Sequence, residues 1–284
     1  MQAFREHVGH ALGRPVRELE PLGGGDVAQS FRVQLADATQ VFAKTREHAP
    51  PGFFTTEAAG LSWLREAHRV PVPEVLHVSD DPPALVLEWI EPGRPGPKTE
   101  ARFGRALAAL HAEGAPRFGR EDRRSTGSRG LPNEPCESWV EFYASNRLLP
   151  LARLASDAQA LPSAAIQTLE RVASRLKNLG GPPEPPSRLH GDLWAGNRLV
   201  GEGGESWLID PAAHGGHREF DLAMMRLFGG FGDTAFAAYH EHTPLAPGWP
   251  ERIPLHQLAP LVVHAIKFGG SYAGATERAL AALR

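Results

Sequence analysis

Residues 91–99, EPGRPGPKT, separate two stretches whose apolar residues recur with different periods, and that change limits what the chain can fold into. Before it, QSFRVQL (29–35) and QVFAKT (40–45) have strand composition, with ADAT between them as a turn. TTEAAGLSWLREAHRV then carries Ala58, Leu61 and Leu64 at helical spacing, and Pro71 and Pro73 stop it. PEVLHVSD and PALVLEWI read as two further strands around DDPP, and residues 2–13 as a short helix in front of everything. After the proline–glycine run the pattern turns helical: EARFGRALAALHAEG, CESWVEFYASNRLLPLARLA and SAAIQTLERVASRLKNLGG, then a largely helical remainder from REFDLAMMRLFGG onward. The expected architecture is α+β and two-lobed. A small antiparallel-sheet lobe spans 1–90, a linker 91–99, and a larger, mainly helical lobe 100–284.

Composition narrows the function classes. With 284 residues, 42% apolar and 22% charged, the chain is long enough for a real core in each lobe. A net charge of −3 gives no basic excess for nucleic acid or an anionic membrane. The single cysteine, Cys136, excludes an internal disulfide and a cysteine metal cage. No uninterrupted apolar run approaches the ~18 residues of a membrane span, and MQAFREHVGHALGRPV lacks the apolar centre of a signal peptide. The expectation is a cytoplasmic protein with no nucleic-acid or membrane partner.

The chemistry concentrates in LHGDLWAGNRLV, 189–200, and in WLID, which ends at Asp210. Asp192 sits in a tight loop between apolar segments, where a carboxylate can accept a proton from a substrate hydroxyl. Asn197 offers a neutral oxygen and Asp210 a charged one. That donor pair suits magnesium, which keeps several positions open for substrate phosphates. The order acid loop, asparagine, second acid is that of the protein-kinase template H-x-D-L-x-x-x-N followed by a metal-binding aspartate, with Gly191 where the template has arginine. A turn-capping pair would use the same residue types; the parts supplied by the other half of the chain favour the catalytic reading.

Lys44 ends the strand QVFAKT, as the phosphate-anchoring lysine ends V-A-I-K, and Glu57 follows thirteen residues later on the predicted helix. An isolated strand lysine is ordinarily just solvated; a Lys–Glu pair of this kind positions the ammonium on nucleotide phosphates. Gly24 and Gly25, within LGGGDVAQSF, let backbone amides approach phosphate, or simply make a turn. Glu88, Trp89 and Ile90, where LVLEWIEPG enters the linker, are placed to offer backbone groups to an adenine edge. G-x-x-x-x-G-K-[ST] is absent, which excludes a P-loop enzyme.

Together LGGGDVAQSFRV, VFAKT, FFTTEAAGLSWLRE, LVLEWIEPG, LHGDLWAGN, IDPAAHGGHREFDLAMMRLFGGF and PLAPGWPERIPLHQLAPLVVHAIKFGGSY resemble the fructosamine kinase (ketosamine-3-kinase) family of protein-kinase-like small-molecule phosphotransferases. The resemblance covers nearly the whole chain, and GHREFDLAM with the tryptophan of HGDLW is its most specific part. It implies an enzyme that uses ATP and Mg2+ to phosphorylate the 3-hydroxyl of ketosamines, free or on glycated protein lysines. By that resemblance Asp192 is the base, Asn197 and Asp210 are the metal ligands, Lys44 with Glu57 holds the phosphates, and Glu88 to Ile90 line the adenine pocket. The centre of 118–133, FGREDRRSTGSRGLPN, departs from the family by its arginines, at a place expected to shape the substrate mouth.

Other residues carry open alternatives. Trp194 either stacks on a sugar ring or packs. Arg218 and Glu219 either contact substrate or, for the acids Glu219 and Asp221, start a helix; Asp221 would alternatively brace the acid loop. His214 and His217 read as polar loop residues rather than metal ligands, and His217 is also a candidate substrate contact. Tyr272, in FGGSY, is a further candidate at the substrate mouth, and His111 reads as a satisfied core histidine. Rival functions are a related kinase for an aminoglycoside or choline, a nucleotide-binding module without turnover, and a metal phosphohydrolase, for which the scattered histidines are a poor fit.

Overall fold

The computed structural model describes residues 1–23, 28–122, 125–126 and 130–283. Gly24 and Gly25, and the centre of the arginine-rich segment, lie outside the described residues. In chain order the elements are α1 (Gln2–Ala11), β1 (Val16–Leu22), β2 (Gln29–Leu35), β3 (Gln40–Thr45), α2 (Phe53–Glu66), β4 (Val75–Asp80), β5 (Pro83–Glu88) and α3 (Thr99–Ala112). There follow β6 (Ser125–Thr126), β7 (Leu131–Pro132), α4 (Trp139–Tyr143), α5 (Leu149–Asp157), α6 (Ser163–Leu179), β8 (Ser187–Leu189), β9 (Arg198–Val200), β10 (Ser206–Leu208) and β11 (His214–Gly216). Four helices end the chain: α7 (Glu219–Phe228), α8 (Asp233–His242), α9 (Trp249–Phe268) and α10 (Ser271–Ala281).

These form two compact units. The first is Met1–Thr99 together with Asn197–Ala213; the second is Glu100–Gly196 together with His214–Arg284. The division differs from a single cut at 91–99, because the hairpin of β9 and β10 belongs with the first unit. Its backbone explains why: Gly93 N–H donates to the Val200 carbonyl and Leu208 N–H to the Pro71 carbonyl.

The first unit is built on a five-stranded antiparallel sheet in the order β1-β2-β3-β5-β4. Alternation along β2 turns Phe31, Val33 and Leu35 inward, where they join Phe4 and Val8 of α1 with Val41, Ala43, Ala84 and Val86. Leu85 and Leu87 are buried as well, and α2 packs against β4 and β5. The sequence reading missed β1, whose stretch RELEPL is charged and contains Pro21. An edge strand tolerates both, since one side of it needs no partner.

The second unit has a helical core of α4–α6, α7, α9 and α10, with Tyr143, Leu148, Leu151, Leu169, Leu176, Leu255, Leu258 and Val262 at its centre. The stretch 136–155, expected as one helix, is interrupted by a π-helical turn at Ala144–Leu148. That turn sends the Asn146 oxygen to the Glu134 N–H, and the Arg147 guanidinium to the Pro132 carbonyl and the Asn133 side chain. No helix among the described residues is long and apolar enough to cross a membrane.

Candidate functional site

In the first unit the alternation that buries Ala43 brings Lys44 to the other face of β3, and its residue is only 6% exposed. The Lys44 Nζ stands 2.7 Å from Glu57 Oε1, on α2, and 2.6 Å from Asp210 Oδ1. The thirteen-residue spacing thus does bring the expected pair together, and Asp210 joins it from 166 residues further on. Burial works against the Lys44 charge, but the two carboxylates outweigh it and hold the ammonium above its ordinary pKa. Burial pushes Glu57 up to about 8; Lys44 pulls the other way, and the Asp210 charge adds to the rise. Two acids share one ammonium.

Asp210 is the open member, with its side chain half exposed. Its backbone is left-handed, at φ 52°, a conformation rarely adopted by side-chain-bearing residues. Asn197 closes a short 3-10 turn; its amide nitrogen donates to the Asp210 carbonyl at 3.4 Å, and its own carbonyl accepts from the Ile209 N–H at 3.1 Å. The two candidate metal ligands therefore belong to one local structure. At the end of β5, the Glu88 N–H is already given to the Glu74 carbonyl, and Trp89 stacks under the Arg32 guanidinium while its indole N–H reaches Glu91. This leaves the Glu88 N–H unavailable to an adenine edge; Ile90 is part-buried beside it.

In the second unit β8 leads straight into His190, Gly191 and Asp192. Gly191 has φ 80°, which explains glycine where the template has arginine. The loop is held from behind by a fully buried carboxylate: Asp221 accepts from the His190 N–H at 2.8 Å and the Gly191 N–H at 2.9 Å. His111 Nε2 lies 3.2 Å from the same Asp221, and its Nδ1 is 2.8 Å from the Tyr239 hydroxyl, so the core histidine is satisfied and is part of the brace. Burial would raise Asp221, yet His111, His190 and the Gly191 N–H together hold it below the usual carboxylate range. The Asp192 N–H donates to His190 Nδ1 at 3.2 Å, which fixes the loop one residue further. Asp221 was weighed as a brace from the sequence, but its partners His111 and Tyr239, on α3 and α8, were not.

The residues around the start of α7 are placed differently from the substrate role considered for them. Arg218 forks onto Glu184 with two contacts of 2.7 Å and also donates to the Thr243 and Pro244 carbonyls. Glu219, 1% exposed, receives the Arg252 fork at 2.8 and 2.5 Å, and His256 Nε2 lies 3.3 Å away. His217 is packed between Trp139 and His256, and burial, with His256 next, lowers it to about 3. The ligand atoms of His217, Glu219 and His256 are close enough together to surround an ion. A dication there would face the Arg252 guanidinium already seated on both Glu219 oxygens, so the cluster reads as a neutral packed network.

Trp194 is 40% exposed and starts a row of aromatic rings. Its indole meets Phe228 edge-on at 6.2 Å; Phe228 lies 4.9 Å from His264, which lies 5.0 Å from Tyr272 and 5.6 Å from Phe268. Trp194 and Tyr272, singled out separately from the sequence, thus belong to one surface. Phe228, His264 and Phe268 were missed; the i, i+4 spacing of His264 and Phe268 on α9 was the available signal. Gly119, from the segment 118–133, exchanges both backbone hydrogen bonds with Gly215 of β11, and β11 pairs with β8. The start of the segment is therefore stitched to β11, the partner of the strand that enters the acid loop.

A family model described as fructosamine kinase matches residues 1–284. A probable ketoamine kinase of Enterococcus faecium is 35% identical over 261 residues, 92% of this chain and 93% of that one. A chloroplastic protein-ribulosamine 3-kinase of Arabidopsis thaliana is 30% identical over 266 residues, 90% of this chain and 79% of that one. A crystal structure from Thermobifida fusca, assigned as a fructosamine-3-kinase, superposes with a TM-score of 0.90 at 42% identity, covering 99% of this chain and 98% of the other. The fold is that of the protein-kinase-like phosphotransferases.

Proposed function

The chain belongs to the fructosamine kinase family and is a phosphotransferase, and from that premise we propose that it moves the γ-phosphoryl group of ATP to the 3-hydroxyl of a ketosamine, with magnesium as its metal and Asp192 as its base. The observation that carries the reading is the Lys44 ammonium seated 2.7 Å from Glu57 and 2.6 Å from Asp210, residues with no proximity in sequence to enforce it.

The donors around that ammonium fit a hard cation. Asp210 is half exposed, and it competes with Glu57, held toward protonation, for the single ammonium, so a cation that takes Asp210 relieves that competition. Asn197 and Asp210 would hold the magnesium, which when bound supplies positive charge to phosphate oxygens. Lys44 then contacts the remaining phosphate charge, with Glu57 fixing the direction of its side chain. Release of Asp210 from Lys44 leaves one carboxylate per ammonium, which removes the charge that helps push Glu57 toward protonation. Asp192 orients the acceptor hydroxyl and accepts its proton as the phosphoryl leaves ATP, a transfer dominated by alignment and charge rather than covalent help. Asp221 keeps the backbone of His190 and Gly191 in place, so that Asp192 is presented at one position. Trp194 and the aromatic row behind it offer an apolar face to the acceptor sugar. The acceptor is a small ketosamine, free or carried on a glycated lysine.

The test is product identification. The protein is incubated with ATP, Mg2+ and, separately, fructosamine-lysine, ribulosamine-lysine, free sugars, choline and an aminoglycoside. ADP release is followed, and the phosphorylated carbon is assigned by phosphorus NMR. Phosphorylation at the 3-hydroxyl of either ketosamine supports the reading. Transfer only to choline or the aminoglycoside, or no transfer with any acceptor, contradicts it.

A further inference from the structure

Gly191 leaves the acid loop with little stiffness of its own. At φ 80° and without a side chain, it permits many backbone arrangements around Asp192, so the loop depends on what holds it from outside. That hold is a buried chain of three side chains from three helices: Tyr239 on α8, His111 on α3 and Asp221 on α7, none more than 2% exposed. The Tyr239 hydroxyl lies 2.8 Å from His111 Nδ1, and His111 Nε2 lies 3.2 Å from Asp221 Oδ2. Apolar side chains would fill the same space without the cost of burying a phenol, an imidazole and a carboxylate, so stability alone does not account for the chain.

Its protons can be placed by elimination. Asp221, held below the usual carboxylate range despite its burial, is ionised and only accepts. It takes the His190 N–H on Oδ2 and the Gly191 N–H on Oδ1, and the His111 nitrogen that faces Oδ2 is therefore the protonated one. On the other side, the Arg218 guanidinium acts on Tyr239 and can only donate, so the Tyr239 hydroxyl proton is left for His111 Nδ1. The imidazole is thus fixed as the Nε2–H tautomer by the groups on either side of it. The hydrogen bonds run in one direction, from Tyr239 to His111 to Asp221, an arrangement in which each bond polarises the next.

We propose that His111 and Tyr239 are positioning residues for phosphoryl transfer: through Asp221 they fix the backbone of His190 and Gly191, and with it the place of the Asp192 carboxylate. The proposal rests on Asp192 being the base for the acceptor hydroxyl. Neither residue is catalytic, since both are sealed from solvent and so from substrate. Without the His111 N–H, the buried Asp221 loses a compensating partner and moves toward protonation. A protonated oxygen no longer accepts from a backbone amide, and the loop is released on that side.

The experiment compares His111→Leu, His111→Gln and Tyr239→Phe in the full chain, with Asp192→Asn as reference, by single-turnover transfer from ATP with Mg2+ to a ketosamine. His111→Leu is expected to slow transfer by about 10–100-fold, the effect of a displacement of about 1 Å, with ATP affinity unchanged. His111→Gln, whose amide N–H can stand in for Nε2–H on Asp221, should recover most of that rate. Tyr239→Phe should slow transfer by about two- to tenfold, the equivalent of one neutral hydrogen bond. Hydrogen exchange across 189–193 should quicken in step with the lost rate while the rest of the helical core exchanges as in wild type. A merely structural role would instead lower the denaturation midpoint and leave Gln no better than Leu. Should His111→Leu fail to fold, Tyr239→Phe, short of one oxygen, decides the matter. Wild-type transfer in the folded variants, a Gln variant as slow as Leu, or a parallel loss of ATP affinity would each overturn the proposal while Asp192→Asn stays slow. Wild-type transfer by Asp192→Asn would overturn the assignment of the base itself, and the proposal with it.

Discussion

Glu57 and Glu219 are both largely buried glutamates set against a basic side chain, yet their surroundings drive them in opposite directions. Glu219 receives two donors from Arg252 and lies against His256; burial opposes its charge, but these partners win and hold it down at about 2. Glu57 must share a single ammonium with Asp210, so burial wins and lifts it to about 8. What decides is the ratio of donors to carboxylates, not depth. The α7 network is closed by paired charges, whereas the Lys44 group accommodates its second acid only by holding Glu57 toward protonation.

The largest separation between the two regions should come from removing an acid in each. Asp210→Ala is expected to lower turnover by about a hundredfold or more, and to abolish the magnesium dependence of nucleotide affinity while the denaturation midpoint stays near wild type. Unchanged affinity in a magnesium titration would remove Asp210 from the metal site. Glu219→Gln is expected to destabilise the protein by about 3–5 kcal/mol, the usual effect of breaking a buried ion pair from one side, as read from denaturant titration. Glu57→Gln is its counterpart: it should weaken nucleotide binding while leaving ligand-free stability at pH 8 unchanged or improved.

The pH dependence sharpens the same contrast. Glu57 binds a proton in the folded state that the unfolded chain has released, so its contribution to stability falls as pH rises from 4.5 to about 8. His217 stays neutral in the fold down to about 3, whereas the unfolded chain takes a proton near 6.5, so its contribution falls as pH drops through that interval. Each slope can reach about 1.4 kcal/mol per pH unit. Melting curves of Glu57→Gln should lose the alkaline slope and those of His217→Gln the acid slope; the reverse pattern would refute the assignment. The smallest effect belongs to the half-open ring surface: Trp194→Ala should cost about 0.5–1.5 kcal/mol of acceptor binding, a rise in acceptor KM of about two- to twelvefold, with the nucleotide KM unmoved.

What could be read in advance was local. QSFRVQL and QVFAKT became β2 and β3 over the residues expected, because alternation and a short turn specify a hairpin without outside help. The Lys44–Glu57 pair was legible because the kinase template places its lysine at the end of a strand and its glutamate on a helix, and this chain offers both in that order. The brace of Asp221, His111 and Tyr239 was legible only in part. Asp221 was weighed as a support, but its partners lie as far as 110 residues away, and no spacing encodes them. Arg218 and Glu219 were open to substrate contact because charge in a motif looks alike in solvent and in a buried fork; Glu184 and Arg252, which claim them, stand in unremarkable proline-rich sequence. The π-helical turn at 144–148 stayed hidden because its residues keep ordinary helix propensity, and only the bonds to Asn133 and Glu134 reveal its use.

The central claim is that a side chain on the braced loop removes the acceptor proton while a separate group holds the phosphates. Asp192→Asn tests it most directly, by single-turnover transfer to a ketosamine alongside equilibrium binding of ATP with Mg2+. The account predicts transfer slowed by about 10²–10⁴-fold with nucleotide affinity within experimental error of wild type. Wild-type transfer in the variant, or a parallel loss of nucleotide binding, would contradict it.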